Sequence, residues 1–590
     1  MILSSLRSAT RAGIAAVTLA TVGTLGMPGA SRAQTASADL VLRNGKVVTM
    51  DARNPQGQAI AITGDRITAV GSDAAIQRYV GPRTKVIDLH GHLAVPGFNE
   101  SHGHFTELGS SLTQLKLMGV PSWQDIAAMV ADAAKKAKPG AWIQGRGWHQ
   151  EKWNRSPGRV VKGFQTNDLI SSAAPNNPVV LGHASGHALI ANAKALELAG
   201  VTASTPNPPG GEIIKDESGK PTGVFVDAAQ SLIRRALDKS LAQRSPAEKK
   251  ADFRSEVHLA VQNALENGVT VFQDMGEAFA TIDEIKQMVD EGQMPLRLYI
   301  LVSQGEIRPD NVNAMVSHRM VDYGNGHLTV RAIGEITADG ALGSRSAWML
   351  KPYDDDPTNT GLNVTKMSRI KEIAELGLAH GYQISVHAIG DRANRETLDT
   401  YEQIFNEHHV KSDTLRWRIE HAQHLSPSDI PRFGKMGVVA SMQAIHECSD
   451  APYVLPRLGY QRAKEGAYVW QSLWKTGAVV TNGTDVPVED ISPIASYWCA
   501  VTRDRVGTDS AFFPEQKLGR QQALQTYTTN GAYVAFQERE NGSLAPGKWA
   551  DIAVLGRDIM TVPPQSILGT KVLYTIIGGK VVYAAPDGAQ

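Results

Sequence analysis

No sign of charge dominates this sequence. Lys plus Arg number 59 and Asp plus Glu number 59 in 590 residues. A dedicated nucleic-acid binder shows a basic excess, so that class is disfavoured. Cysteine is nearly absent. Cys448 and Cys499 are the only two, which excludes a disulfide scaffold, and their spacing matches no metal motif; the sequence leaves their pairing open. No internal repeat, low-complexity tract or long charge run interrupts the chain. What remains is 42% hydrophobic and 20% charged. That is ample for a packed core and excludes a wholly disordered or collagen-like protein. Domains run to about 100–200 residues and barrels to about 250, so one large domain with insertions, or two to three domains, is expected.

The N-terminus reads as an export signal over residues 1–33. Arg7 and Arg11 form a basic start, residues 12–27 are uncharged and mostly apolar, and Ser31-Arg32-Ala33 is a small-x-small cleavage site. The apolar stretch is shorter than the roughly 20 residues of a spanning helix and is interrupted by glycines and threonines. No Arg-Arg pair is present, which favours general secretion. The expectation is a mature protein beginning near Gln34, periplasmic or secreted, with no stable membrane anchor after cleavage.

Both ends of the mature chain are rich in strand signals, and the middle is not. Leu40-Val41-Leu42-Arg43 and Lys46-Val47-Val48 flank an Asn-Gly turn, and Ala59–Ile62 and Arg66–Val70 repeat that hairpin pattern around Gly64-Asp65. Asp551–Leu555, Val572–Ile577 and Lys580–Tyr583 are similar material. One β-sandwich built from residues 34–95 and 540–590 accounts for both. Between them, eight β-like runs alternate with amphipathic stretches: 95–102, 269–273, 296–302, 329–335, 382–387, 416–421, 438–442 and 478–482. Eight βα units predict an α/β (β/α)8 TIM-like barrel over 96–539. The first connection is too long for one helix, so an inserted α+β subdomain is expected at about 105–265.

Histidine is the informative residue, at 17, because several stand where these runs end, and barrel active sites sit at the strand C-termini. The first run closes as PGFNESHGH. Side chains two apart share a strand face, so His102 and His104 can chelate one ion. His90-Gly91-His92 has the same spacing but lies in the link before the barrel. Later runs end at His387 (VHAIGD), His421 (RIEH) and Asp485 (NGTDVP). Two His on one strand, single His on two others and an Asp on the last form a hydrolase-type metal site. His424 falls beyond its strand, which favours His421.

The chain resembles the amidohydrolase superfamily, and within it the YtcJ-like (amidohydrolase 3) group. The resemblance rests on VLRNGKVVTMD, PGFNESHGH, SGHALIANAKALELAGV, PNPPGGEIIKDESGKPTGV, NGVTVFQDMG, ADGALGSRSAWM, VHAIGDRA, RIEHAQHL, NGTDVPV and GSLAPGKWADIAVLGRD. It implies a metal-dependent barrel with a composite β-sandwich, ligands His102, His104, His387, His421 and Asp485, and Zn2+ as one or two divalent ions. Two departures stand out. Glu100 occupies a position usually held by Asp. The fourth strand lacks the Lys whose carbamate bridges two metals in many members: no Lys occurs between Lys286 and Lys351. Glu335 stands at that position and brings its own carboxylate.

The implied reaction is hydrolysis of a C–N bond other than a peptide bond (amide, N-acyl, formamide or carbamate), with Asp485 as general base. The alternatives are an ester or lactone hydrolase at the same site, or a catalytically inactive binding or regulatory relative. His187, Asp339 and Arg345 are candidates to touch the small-molecule substrate. The sequence leaves substrate identity, metal number and homo-oligomerisation open.

Overall fold

The computed structural model describes residues 37–586, apart from 151–152, 184–187, 210, 344 and 506–509. Residues 1–33, read above as an expected export signal, and His187 lie outside the described residues.

Eight parallel strands form the centre: β1 (Phe98–Gly103), β2 (Val269–Glu277), β3 (Arg297–Val302), β4 (Leu328–Thr337), β5 (Gln383–Ala388), β6 (Arg418–His421), β7 (Val439–Met442) and β8 (Val480–Asn482). Each pairs with the next in chain order. The ring is nearly closed where the chain runs on from β8. Asp485 N–H donates to the His102 carbonyl at 2.8 Å, and His104 N–H donates to the Val486 carbonyl at 2.8 Å. The eight predicted runs all appear, so the TIM-like barrel read from the sequence is the fold.

The strands read as apolar because alternate side chains face the surrounding helices. Ile300, Val330, Ile384, Ile419 and Ala440 are fully buried in that outer core. The opposite face is not apolar. Gln273, Arg418, Glu420, Ser385 and Ser441 are fully buried inside the barrel. Arg418 donates to Gln273, to the Ser101 carbonyl and to Ser441, and its Nε lies 2.6 Å from Glu420. A buried charge is tolerated only when paired and hydrogen-bonded in this way.

Two sheets assembled from both termini lie beside the barrel. One orders Arg66–Gly71, Ala59–Thr63, Leu40–Arg43 and Lys85–Asp88; the other runs from Lys580–Ala584 through Val572–Ile577, Ile552–Leu555 and Leu93–Pro96 to Lys46–Val48 and Gln56–Gly57. Leu93–Pro96 pairs antiparallel with Ile552–Leu555, which ties the ends of the chain together. A separate six-stranded sheet with helices, carried by residues 115–227, forms the insertion after β1.

Two helices matter for the site. α1 (Ala444–Gly466) follows β7, and α2 (Pro493–Thr502) follows β8. Cys448 and Cys499 join them in a disulfide, with Cα atoms 6.1 Å apart. This resolves the pairing that the sequence left open. Among the described residues, no helix is long and apolar enough to cross a membrane.

Candidate metal centre

The six candidate ligands come from five strand ends and converge on one spot. His102 and His104, two apart on β1, both reach Asp485: their Nε2 atoms lie 3.4 and 3.1 Å from Oδ1. Gly103 between them has Phe272 against it, and a Cβ there would meet the ring at 2.7 Å. Glu335 on β4 lies 3.3 Å from His387 Nδ1, 3.4 Å from His421 Nε2 and 3.8 Å from His102 Nε2. Three triads bring their ligand atoms within 4.8 Å of one another: His102, His104 and Glu335; His102, His421 and Asp485; Glu335, His387 and His421.

Local backbone explains how Glu335 points inward. β4 slips register against β5 between Ile333 and Ile336, a bulge that re-aims a side chain. Gly334 makes it possible: its φ is +152° and a Cβ would meet the Ser385 carbonyl at 2.7 Å. His421 and Asp485 hold φ of 70° and 58°. Non-glycine residues in the left-handed region cost about 1–3 kcal/mol and collect at functional sites.

Supporting residues fix the rings. His102 Nδ1 lies 2.7 Å from Glu420 Oε2, and His421 Nδ1 lies 2.8 Å from Gln443 Oε1. In both, the carbonyl or carboxylate oxygen accepts the Nδ1 proton, so Nε2 is the nitrogen that offers its lone pair to the cluster once it is deprotonated. Sequence reasoning missed Glu420 and Gln443. A signal existed for the first: in Arg418-Ile419-Glu420, period-2 alternation puts Arg418 and Glu420 on the barrel face.

Burial by itself would push the carboxyls of Asp485 and Glu335 up. The imidazoles beside them outweigh it and hold both well below the usual carboxylate range. Burial likewise pulls His102 and His104 down, but Asp485 prevails; His102 stands well above the usual histidine range, and His104 is raised to about 9. The cluster is thus a set of anions whose balancing positive charge is carried by protons on imidazoles. His102 Nε2 and Glu335 Oε2 are buried without a hydrogen-bond partner. Imidazole nitrogens and carboxylate oxygens at this spacing, with orphaned atoms turned inward, fit one or two divalent ions.

The other candidates fall elsewhere. His90 sits exposed on a turn of the sandwich with φ 47°. His424 is buried against Tyr468, and burial pushes it down to about 3, a neutral core histidine outside the triads. Asp339 is fully buried and accepts N–H bonds from Trp348, Ile389 and Gly390, which clips the loop after β4 to the end of β5. Its Oδ1 lies 3.7 Å from His387 Nε2. Arg345 pairs with Asp355 at 3.0 Å. The structure therefore brings neither of these two into the triads. Glu100 lies beneath the cluster, accepts the Thr484 N–H at 2.6 Å, and is pushed by burial up to about 8.

Comparison with known proteins agrees with this geometry. A model of the amidohydrolase family (amidohydrolase 3) matches residues 85–583. The protein LONG AFTER FAR-RED 3 of Arabidopsis thaliana is 34% identical over 92% of both chains. The N-substituted formamide deformylase of Arthrobacter pascens is 27% identical over 92% of this chain and 98% of its own. Among solved structures, an uncharacterized metal-dependent hydrolase from Pyrococcus furiosus superposes with a TM-score of 0.69 at 26% identity, over 88% of this chain and all of that one.

Proposed function

This chain belongs to the amidohydrolase family, and from that premise we propose that it is an exported metal-dependent hydrolase of N-substituted formamides, N-acyl amines or similar C–N substrates. One observation carries the reading: six ligand-type side chains from five separate strand ends form three overlapping triads whose ligand atoms lie within 4.8 Å of one another, with inward atoms left unpaired. Such an arrangement costs stability unless it binds something. It also favours an active enzyme over an inactive relative, which has no need to keep the full set. The similarity to a formamide deformylase favours C–N over ester substrates.

His102, His104, His387, His421, Glu335 and Asp485 would hold the metal, with zinc suited to imidazole and carboxylate donors. A divalent ion supplies Lewis acidity there, lowering the pKa of water toward about 7 and polarising a carbonyl. The chain supplies the rest. Glu420 and Gln443 fix the rings of His102 and His421. Asp485 is held ionised beside His102 and His104, so it can take a proton from water and return it to the leaving nitrogen. Export is supported by the disulfide, which persists in oxidising compartments, and by the order of residues 1–33.

Asp485→Asn tests the base. It keeps the shape and cannot accept the proton, and loss of a general base costs about 10²–10⁴-fold in rate. We expect that loss with a modest change in metal content. A variant whose rate stays within about threefold of wild type would remove Asp485 from this role.

A further inference from the structure

Asp485 shows its two oxygens to different neighbours. Oδ1 faces His102 and His104, while Oδ2 faces His446 Nε2 at 3.7 Å. His446 stands in the first turn of α1, directly after β7. It is 6% exposed, and its Nε2 has no hydrogen-bond partner. Its ring lies nearly parallel to that of His421, at 18° with centroids 6.2 Å apart. Among the described residues, none of the ligand triads includes it.

The other ring nitrogen settles the tautomer. His446 Nδ1 lies 3.1 Å from Gln423 Nε2, an amide nitrogen that can only donate. Nδ1 therefore accepts, and the ring proton sits on Nε2. Gln423 is itself buried, and its backbone carbonyl takes the Tyr468 N–H at 2.7 Å. The gap from Nε2 to Asp485 is too long for a hydrogen bond. A buried N–H without an acceptor, beside the carboxylate of the general base, points to a ligand atom that accepts from it.

We propose that His446 is a catalytic residue: its Nε2–H donates a hydrogen bond to the substrate carbonyl oxygen as that oxygen becomes an oxyanion. The assignment rests on the hydrolase reading above. The acceptor is the oxygen because His446 has one fixed proton to share. The leaving nitrogen needs a proton transferred to it, and Asp485 supplies that one. His446 keeps its proton throughout, so the proton balance of the reaction is unchanged. Negative charge grows on the oxygen only as the carbon turns tetrahedral, so the bond strengthens where it raises the rate.

The test uses the metal-loaded full-length mature protein and a panel of N-substituted formamides and N-acyl amines. Removing one oxyanion donor typically costs about 10²–10³-fold in kcat. His446→Ala should show that loss on the best substrate, with KM within about threefold and with metal stoichiometry and melting temperature unchanged. His446→Asn restores a neutral N–H and should recover about tenfold, and Gln423→Leu should lower kcat about tenfold without touching the substrate. A phosphonamidate analogue of that substrate, titrated by calorimetry, should lose affinity in step with kcat/KM. Phosphonamidate affinity unchanged in His446→Ala, or activity lost only in proportion to bound metal, would overturn the assignment. If His446→Ala does not fold, Gln423→Leu and His446→Asn decide by the same readouts: full activity in Gln423→Leu and none in His446→Asn overturns it. A loaded wild type inert to the whole panel overturns the hydrolase reading and this assignment together. An active wild type with an equally active His446→Ala overturns this assignment alone.

Discussion

A histidine ring has two nitrogens, and in this site one is held while the other serves. His102 gives Nδ1 to Glu420 and Nε2 to the cluster, and His421 divides its ring between Gln443 and the cluster in the same way. The ligand side of this was legible, because the His-x-His pair and the strand-end His and Asp stand in the chain order of the barrel. The holding side depends on which strand lies next to which, and spacing along one chain does not carry that. His446 is the clearest case: it stands in the first turn of a helix, in no ligand motif, and only the fold sets it against Asp485. In the metal-free cluster His104, raised to about 9 by Asp485 against its burial, is protonated at pH 7.5. A metal needs that lone pair, so loading should release protons, and affinity should rise with pH until about 9. Zinc titration by calorimetry in buffers of different ionisation enthalpy measures the release. His102→Ala should abolish most of the zinc signal and His90→Ala should leave it intact; the reverse pattern would mean that the other His-x-His pair is the ligand pair.

At the scale of the element, β4 carries Glu335 where the superfamily resemblance implies a Lys in many members. The missing Lys was legible in the sequence. How a shorter Glu reaches the cluster was not, because it depends on a bulge and on Gly334 making room against Ser385. With no carbamate to build, metal reconstitution of the apo protein should proceed equally well with or without bicarbonate. Glu335→Gln keeps the size and removes the anion between His387 and His421. Metal counting should show weaker retention at that end of the site, with the melting temperature changed little. A lower melting temperature with full metal stoichiometry would instead make Glu335 a structural partner. The disulfide is a second device of this scale. It joins α1, which carries His446, to α2, which follows β8. Removing a disulfide that closes a loop of this length costs about 2–4 kcal/mol. Urea unfolding of a Cys448→Ala/Cys499→Ala protein should show that loss, and an unchanged midpoint would mean that the link contributes nothing to stability.

Over the whole molecule, the contacts that close the barrel run through the site itself. The bonds from Asp485 N–H to the His102 carbonyl and from His104 N–H to the Val486 carbonyl join the last segment to the first strand through the ligand residues themselves. Pairing of Leu93–Pro96 with Ile552–Leu555 holds the two ends of the chain beside it. The eight strands were legible because their outward faces are apolar against helices. The polar interior around Arg418 was not, since alternate charged residues in short strands also suit a solvent face. Metal and turnover measured together bear most directly on the proposed hydrolysis. Mature protein purified without added metal should carry one to two divalent ions by mass-spectrometric metal analysis and hydrolyse at least one N-substituted formamide or N-acyl amine. Chelation should abolish turnover, and zinc should restore it in proportion to the metal regained. Turnover that persists in protein stripped of metal would contradict the account.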